Sequence, residues 1–274
     1  MTLSIVIVSF NAREDLENCL RSLAAAPPRI PHEVVVVDNA SSDDSVAAVQ
    51  ARFPDVRLLV QRRNLGFSAA NNTGIRATSG ELILLLNNDT VVPAGALDVL
   101  VDRLVAHEEA AVAGPRLVDG SGAVELSFGP MITPLAEARQ KLLRSLYERR
   151  FGPARSWVER ATARERFVDW VSGACLLVRR ADAEAVGLLD ERYFLYTEDV
   201  DFCAAIRARG HRVLFTPRAQ VVHLRGRSRA TVADGMNAAY RRSQIAFYEK
   251  HHPRWAPVLR AYLAVRGHLP PPQP

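Results

Sequence analysis

The chain of 274 residues is 48% hydrophobic and 24% charged, proportions that fit a globular enzyme and argue against a collagen, coiled-coil or disordered chain. Its longest apolar stretches, Leu3–Ser9 and Leu82–Leu86, fall far short of the roughly 20 residues that a membrane span needs. No basic segment or cleavage site precedes the first of them, so no signal peptide is expected. Three widely spaced cysteines without a CxxC pair favour reduced thiols and a cytoplasmic protein.

The net charge of +5 is unevenly distributed along the chain. Residues 1–130 hold 10 basic and 16 acidic residues, whereas residues 204–274 hold 13 basic and 2 acidic ones. Such a basic region fits an anionic partner, namely phosphate, a membrane surface or nucleic acid, or else a solvated basic face. Nucleic acid ranks last, because the region carries no recognisable DNA- or RNA-binding motif.

The first 110 residues alternate between strand and helix patterns. Runs of Ile, Val and Leu predict buried strands at Leu3–Ser9, Glu33–Asp38, Val56–Val60 and Leu82–Leu86. Helical spacing predicts intervening helices that run from Leu16 to Leu23, over Val46–Arg52 and Ser68–Thr78, and from Pro93 to Ala106. Strands joined in this way pair in parallel with right-handed crossovers, which predicts a doubly wound α/β fold. Ligands of such sheets bind beyond the carboxyl ends of the strands.

The rest of the chain is less regular. Further helices are predicted at Leu135–Arg150, Asp199–Arg209, Met236–Lys250 and Trp255–Val265. Short strands are predicted within Phe167–Val178, at Val213–Phe215 and at Ala219–Val222. The Pro-rich end of the chain is expected to be disordered.

The turn after the first strand excludes several common nucleotide sites. A dinucleotide site needs glycines there, because the pyrophosphate approaches bare backbone, but the turn reads Ser9-Phe10-Asn11-Ala12-Arg13. Walker A and GxSxG motifs are also absent from the sequence. These patterns argue against a dehydrogenase, a P-loop NTPase and a serine hydrolase.

Polar residues follow the predicted strands, and each group has a structural and a functional explanation. Asp38 could bind a nucleobase or ribose, or could simply begin a turn. Asn64–Gly74 could form a hydrogen-bonding wall with close backbone approach, or a capped helix with small packing residues. Asn87-Asn88-Asp89 could hold a hard cation that also takes diphosphate oxygens, or could form an Asx turn.

Acidic residues cluster at Glu198, Asp199 and Asp201, at the start of a predicted helix. Thr197 would cap that helix, and acids in a first turn are favoured by the helix dipole. A carboxylate at this position could instead act as a general base on a hydroxyl. His223 is structural unless a metal lies within reach, in which case imidazole beside carboxylates favours Mn²⁺, with Mg²⁺ as a substitute.

Six motifs in this order resemble those of the GT-A glycosyltransferases of family 2, in their bacterial rhamnosyltransferase-like branch: VDNASSD, NLGFSAANNTG, LLLNND, SGACLLVRR, YTEDVDFC and VVHLRGRS. The resemblance implies an α/β GT-A domain over residues 1–228, with a Rossmann-like, mainly parallel sheet. Residues 1–114 would form the nucleotide-sugar-binding half and residues 115–228 the acceptor and catalytic half. Residues 229–274 would be a basic helical extension.

The resemblance also implies a set of donor-binding residues: Ser9, Phe10, Asn11, Asp38, Asn64, Gly66, Phe67, Asn71, Asn87, Asn88, Gly173 and Ala174. Within this set, Asp38 would contact the base of the donor. Gly173 and Ala174 would form a floor beneath its sugar.

Metal and catalytic residues are implied in the same way. Asp89 and His223 would bind Mn²⁺ or Mg²⁺, and Asp199, paired with Glu198, would be the base of an inverting transfer. Asn87 replaces the first acid of the DxD motif, which removes a charge and weakens the expected metal affinity. Ala205 stands where an arginine is common.

These features predict a metal-dependent glycosyltransferase that moves a sugar, such as rhamnose from dTDP-rhamnose, to a hydroxyl of a lipid-linked or cell-surface glycan. The basic C-terminal region, with Trp255, Leu259 and Tyr262 at helical spacing, would dock on the anionic inner face of the cell membrane or cover the acceptor side. Two alternatives stay open. One is a nucleotidyltransferase, although Ser9–Arg13 lacks its Gly-rich signature, and the other is a non-catalytic sugar-nucleotide-binding subunit, favoured by Asn87.

Overall fold

The structure, a computed structural model, describes residues 1–224 and 233–270. Its strands are β1 (Leu3–Ser9), β2 (His32–Asp38), β3 (Arg57–Val60), β4 (Leu82–Asn87), β5 (Thr90–Val91), β6 (Ala110–Val118), β7 (Phe128–Gly129), β8 (Arg166–Val168), β9 (Trp170–Val171), β10 (Cys175–Arg179) and β11 (Arg212–His223). Its helices are α1 (Arg13–Ala25), α2 (Ser45–Arg52), α3 (Gly66–Arg76), α4 (Ala96–Ala106), α5 (Pro134–Glu148), α6 (Gly152–Ala161), α7 (Arg180–Ala185), α8 (Glu198–Ala208), α9 (Ala233–His251) and α10 (Ala256–Val265).

Within these described ranges, nine strands form one sheet in the order β3-β2-β1-β4-β10-β6-β11-β5, with β8 paired to β11. Strands β1 to β4 pair in parallel, as do β6 and β11, whereas β10 runs antiparallel to both β4 and β6. The predicted α/β class is confirmed. The carboxyl ends of β1, β2, β4, β6 and β11 therefore share one edge of the sheet with the amino end of β10.

Alternating side chains of the central strands build two cores, one on each face of the sheet. Ile5 and Ile7 of β1 pack with Leu16 of α1 and Leu100 of α4. Val6 of β1 points to the other face, in a core that includes residues of α8, α9 and α10. The two C-terminal helices thus pack on the same sheet as the rest of the chain.

Strand β6 was missed by the sequence patterns because Gly114 and Pro115 interrupt its apolar run, and such residues usually weaken a strand. The structure explains Gly114, since a Cβ atom there would lie 2.6 Å from the Cβ atom of Val171. The two short strands predicted at Val213–Phe215 and Ala219–Val222 are wrong as separate elements. They form the single strand β11, whose pairing is irregular between Thr216 and Gln220.

Other differences concern helix bounds and regions outside the description. Helix α3 begins at Gly66 rather than Ser68, and α6 and α7 were not predicted. The predicted domain boundary after residue 228 and the predicted disordered end involve residues 225–232 and 271–274, which lie outside the described residues. The domain division stays a prediction.

Candidate active site

The candidate site lies where strand order reverses. From β1 the chain moves outward to β2 and β3, and then returns to place β4 on the other side of β1. This arrangement leaves a crevice between the carboxyl ends of β1 and β4, where open α/β sheets bind their ligands. Across it, the side-chain amide of Asn88 donates a hydrogen bond of 3.1 Å to the Ser9 hydroxyl.

Asp89 and His223 meet at this edge, although they are far apart in the sequence. The Nε2 atom of His223 lies 3.1 Å from Oδ1 of Asp89 and 3.4 Å from the amide nitrogen of Asn87. Backbone hydrogen bonds hold Asp89 close to His223. The N–H of Leu224 donates to the Asp89 carbonyl at 2.8 Å, and β5 pairs with the end of β11. One carboxylate and one imidazole thus face each other.

Glu125 completes this group and was missed by sequence reasoning. Its Oε2 atom lies 3.1 Å from Nδ1 of His223, and both side chains are buried. Burial lowers the pKa of His223, but the bonds to Asp89 and Glu125 outweigh it and raise the pKa to about 9. In the sequence, the position of Glu125 between the apolar residues Val124 and Leu126 was a sign that this acid is buried.

The donor set fits a divalent ion that is shared with a substrate. Oxygen from Asp89 and nitrogen from His223 suit Mn²⁺. Across residues 1–224 and 233–270, no group of three or more His, Cys, Asp or Glu side chains is arranged to hold a metal by itself. Two protein ligands, with the remaining positions left to phosphate and water, is the usual arrangement when a hard cation serves a nucleotide substrate.

One carboxylate oxygen of Asp38 stabilises a turn, and the other makes no hydrogen bond. Its Oδ2 atom accepts the backbone N–H of Ser41 at 3.0 Å, while the buried Oδ1 atom has no hydrogen-bond partner. Asn11, with a positive φ of 47°, accepts the N–H of Ser42 at 2.7 Å, so the ends of β1 and β2 are tied together. Phe10 is exposed beside them.

Asn39, which the sequence analysis did not single out, holds the next loop of the site. Its amide nitrogen donates to Oδ1 of Asn64 at 2.8 Å and to the Gly66 carbonyl at 3.2 Å, and its oxygen accepts the N–H of Leu65.

Asn71, which was predicted to bind the sugar donor, is buried in α3. Its amide nitrogen already donates to the Phe67 carbonyl at 2.9 Å.

Gly66 and Phe67 contact the segment that precedes the acidic cluster. The N–H of Phe67 donates to the Phe194 carbonyl at 2.6 Å. Gly66 has a φ of +81°, and a Cβ atom there would lie 2.4 Å from the same carbonyl oxygen. Only glycine allows this approach.

Asp199 lies against the predicted sugar floor. Its Oδ2 atom accepts the N–H of Gly173 at 2.9 Å, and its Oδ1 atom accepts the N–H of Val200 at 2.8 Å. The neighbouring Ala174 carbonyl accepts the N–H of Asn87 at 2.9 Å. One short stretch of backbone thereby connects the acidic helix with the Asn87–Asp89 loop.

The three clustered acids have different surroundings. Glu198 is buried, and burial together with the charge of Asp199 raises its pKa well above the usual range. Burial also raises the pKa of Asp199, although the N–H groups of Gly173 and Val200 oppose this. Asp201 points elsewhere, to Lys250 at 2.8 Å and His251 at 2.6 Å. Because the three carboxyl groups have different neighbours, they can have different chemical roles.

Thr197 stands at the predicted N-cap position of α8, but the expected side-chain cap is not formed. Thr197 makes no capping hydrogen bond to α8, and its buried hydroxyl has no partner. Both Tyr196 and Thr197 have left-handed backbone, with φ values of 71° and 69°, which turns the chain sharply into Glu198. Residues other than glycine seldom adopt this conformation, and when they do they often lie at functional sites.

A cavity of about 230 Å³ opens beside Asp199. It is bounded by the strand residue Trp170, by one face of α5 and by one face of α9. Aromatic and polar side chains alternate around it, including Ser172, Tyr196, Tyr240, Gln244 and Tyr248. Asp199 therefore lines a cavity that a small molecule can enter.

Comparison with known proteins gives a consistent result at the level of sequence. Residues 4–184 match the family model described as Glycosyl transferase family 2. The chain is 34% identical to the N-acetylglucosaminyl-diphospho-decaprenol L-rhamnosyltransferase of Mycobacterium tuberculosis, over 97% of this chain and 92% of that protein. It is 29% identical to the O-antigen biosynthesis protein RfbC of Myxococcus xanthus, over 95% of this chain but 20% of that protein.

Solved structures share the fold. A mannosyltransferase from Pyrobaculum calidifontis in complex with GDP-Man and Mn²⁺ has a TM-score of 0.64 at 20% identity, covering 95% of this chain and 68% of that one. GalNAc-T7 with UDP, GalNAc and Mn²⁺ has a TM-score of 0.62 at 17% identity, covering 89% and 48%. At this level of identity the likeness establishes the GT-A type of fold.

Proposed function

The chain belongs to glycosyltransferase family 2, and on that premise we propose that it transfers L-rhamnose from a nucleoside-diphosphate donor to a hydroxyl of a lipid-linked sugar. The observation that carries the proposal is that Asp199 both accepts the N–H of Gly173 and lines the cavity of about 230 Å³. The 34% identical Mycobacterium relative is named as an L-rhamnosyltransferase with a diphospho-decaprenol acceptor, which supports the choice of both substrates.

The chemistry we propose is a single inverting displacement. Asp199 takes the proton of the acceptor hydroxyl while its oxygen forms a bond to the anomeric carbon of the donor. The bond from that carbon to the diphosphate oxygen breaks, and the nucleoside diphosphate leaves with the electron pair. General-base catalysis of this kind contributes roughly 10²- to 10⁴-fold in rate.

The environments of the two adjacent acids support Asp199 over Glu198 as the base. A base must be ionised before it can take a proton. Two backbone N–H groups stabilise the charged form of Asp199, whereas the buried Oε2 atom of Glu198 has no hydrogen-bond partner. The charged form is therefore better stabilised by hydrogen bonds at Asp199 than at Glu198.

For the donor, we propose that the spare oxygen of Asp38 accepts an N–H of the base or a ribose hydroxyl. Ser9, Phe10 and Asn11 would line that pocket, and the sugar would lie over Gly173 and Ala174. The unpartnered buried oxygen of Asp38 supports this role, because a buried acceptor without a partner is costly until a ligand satisfies it.

Asp89 and His223 would hold Mn²⁺ or Mg²⁺, and Glu125 would fix the orientation of the imidazole. When bound, the ion neutralises negative charge that develops on the leaving diphosphate. The amide of Asn87 adds no charge to this group, so we expect weaker metal affinity than two carboxylates would give. The Mn²⁺ in the structures of two fold neighbours supports the choice of a divalent ion.

We also propose peripheral attachment to an anionic membrane through α10. Trp255, Val258, Tyr262 and Val265 of this region are exposed at helical spacing, between 51% and 88% of their surface. Leu259, which the sequence pattern placed in the same row, packs against the core instead. None of the helices in the described ranges combines the length and apolar character that crossing a bilayer requires. An exposed apolar row with nearby arginines is typical of helices that lie in the membrane interface.

The test is release of nucleoside diphosphate from a panel that includes dTDP-L-rhamnose and UDP- and GDP-sugars. A short-chain prenyl-diphospho-N-acetylglucosamine serves as acceptor, and parallel reactions contain Mn²⁺ or a chelator. We expect turnover of dTDP-L-rhamnose that the acceptor stimulates and the chelator abolishes, with inverted anomeric configuration in the product. Binding of a donor without any turnover would instead identify a non-catalytic sugar-nucleotide-binding subunit.

A further inference from the structure

Resting on the proposed function, we infer that the hydroxyl groups of Ser127 and Thr197 bind the accepting sugar and thereby determine which of its hydroxyls reacts. Both residues line the cavity beside Asp199. The sugar groups that they bind are the hydroxyl or amide substituents on the ring carbons next to the reacting one. The position of the new linkage then depends on two side chains that take no part in breaking or forming a covalent bond.

Both hydroxyls are buried and have no hydrogen-bond partner within the protein. The Oγ atom of Ser127 and the Oγ1 atom of Thr197 are the two such atoms among the described residues that line this cavity. An unpaired buried polar group destabilises a fold, and native proteins keep few of them. The presence of two around one cavity therefore indicates a ligand that pairs with both.

Other polar side chains around the cavity are already paired. Tyr240, Tyr248 and Gln244 all donate hydrogen bonds to the carboxylate of Glu137. The indole N–H of Trp170 donates to a backbone carbonyl at 2.9 Å. These donors are occupied, whereas a serine or threonine hydroxyl without a partner offers one donor and two acceptor sites to a ligand.

Backbone hydrogen bonds connect Ser127 with the segment that holds Asp199. The Ser127 carbonyl accepts the N–H of Ser172 at 2.8 Å. The next residue, Gly173, donates its own N–H to the Asp199 carboxylate at 2.9 Å. A sugar that is bound to Ser127 is therefore held by the same hydrogen-bonded segment that orients the proposed base.

Thr197 stands two positions before Asp199, and its hydroxyl is not used by α8. Its backbone is left-handed, with a φ of 69°, and its side chain makes no capping hydrogen bond. Its carbonyl still accepts the N–H of Asp201 at 2.9 Å, so the residue is anchored to the helix. A threonine in the usual cap conformation bonds its side-chain oxygen to the helix, whereas this oxygen stays available to a ligand.

Sugar hydroxyls are suitable partners for these two groups. Water can pair with them in the free protein, because a polar cavity of about 230 Å³ has room for it. An incoming sugar replaces this water with hydroxyls of the same donor and acceptor capacity. A sugar that turns to present another hydroxyl to Asp199 cannot make the same pair of hydrogen bonds. A site that is built to pair with a substrate hydroxyl discriminates against ligands that fail to supply it.

The experiment removes single hydroxyl groups from the protein and, separately, from the acceptor. Ser127→Ala and Thr197→Val are assayed with short-chain prenyl-diphospho-N-acetylglucosamine and with analogues that each lack one ring hydroxyl or the N-acetyl group. For the full acceptor we expect KM to rise about 3- to 10-fold in each variant, the effect of one neutral hydrogen bond. An analogue that lacks the partner of Ser127 should be equally poor for the unaltered protein and for Ser127→Ala, and the same holds for Thr197→Val. In the double variant, NMR of the product should show a second linkage.

Melting temperature separates a role in binding from a role in folding. Because neither hydroxyl has a partner within the protein, its removal should leave the Tm unchanged or raise it. Ser79→Ala, at an exposed position outside the cavity, is the control. It should retain the acceptor KM and the product linkage of the unaltered protein.

Two results would overturn the inference. One is a lower Tm in both variants together with the same rise in KM for every acceptor analogue, which would assign the hydroxyls to the fold. The other is an unchanged KM and a single, unaltered linkage in the double variant. Both presuppose transfer by the unaltered protein. If that protein transfers no sugar from any donor, the proposed function is rejected and the inference with it.

Discussion

The backbone N–H of Gly173 donates a 2.9 Å hydrogen bond to the carboxylate of Asp199. The next residue, Ala174, accepts the backbone N–H of Asn87 at 2.9 Å. The proposed base and the loop of the proposed metal ligand Asp89 are thus bonded to the same two residues of chain. Any shift of this segment changes both sides of the reaction centre together.

Replacing Asp199 with Asn should remove the base with little change of shape, although the single amide oxygen can keep only one of the two hydrogen bonds from Gly173 and Val200. We expect kcat for transfer to fall by about 10²- to 10⁴-fold, with nucleotide binding by calorimetry largely unchanged. Asp55→Asn, in an exposed turn, provides a control that should behave like the unaltered protein. Undiminished turnover in Asp199→Asn would reject the assignment of the base.

The pH profile should reflect the raised pKa of Asp199. Because the base must be ionised, kcat/KM should fall as the pH drops through this pKa, and the acidic limb should lie above the ordinary value of 3.8. Burial is the main cause of the shift, so Glu198→Gln should leave the limb in place. An acidic limb that disappears in Glu198→Gln would show that Glu198, not Asp199, takes the proton.

Glu125→Gln should weaken metal binding without touching the metal ligands themselves. Loss of a partner that orients a ligating imidazole usually costs about 10- to 100-fold in metal affinity. The measurement is the Mn²⁺ concentration that gives half-maximal donor turnover, which should increase by that factor. The same half-maximal concentration in the variant and the unaltered protein would place Glu125 outside the metal site.

Gly66→Ala should destabilise the fold at the edge of the site. The left-handed backbone alone costs a non-glycine residue about 1–2 kcal/mol, and the new Cβ atom would clash with the Phe194 carbonyl. Gly152→Ala is the control, since a Cβ atom there meets nothing within 4 Å, and it should be neutral or slightly stabilising. The measurement is the Tm of both variants by calorimetry. Equal Tm values would contradict the close contact between Gly66 and the Phe194 carbonyl.

Trp255→Asp/Tyr262→Asp should reduce binding to vesicles that contain anionic lipid. The two changes remove exposed apolar area and add negative charge on α10, and both effects oppose attachment. Flotation with anionic and with neutral vesicles measures the effect, and Arg139→Ala, at an exposed position of α5, serves as a control outside α10. Unaltered protein that floats equally poorly with both vesicle types would rule out this mode of attachment.

The sequence predicted the parts of the structure that depend on local pattern. Continuous apolar runs identified β1 and β4, and the polar residues behind them, including Asn87 and Asp89, follow these strands in the structure. Glu125 was missed because its role depends on a contact with His223, which lies 98 positions away in the sequence. The cavity was missed for the same reason, since it depends on contacts between Glu137 and Tyr248 that no local spacing encodes.

The left-handed backbone at Tyr196 and Thr197, just before α8, lowers stability next to the proposed active site. Two successive side-chain-bearing residues in an unfavourable backbone region together reduce the free energy of unfolding by several kcal/mol. Glycine adopts the left-handed backbone without this penalty, so Tyr196 and Thr197 cost stability that glycine at these positions would not. Because both side chains also line the cavity beside Asp199, stabilising changes that spare the proposed site would lie elsewhere in the molecule.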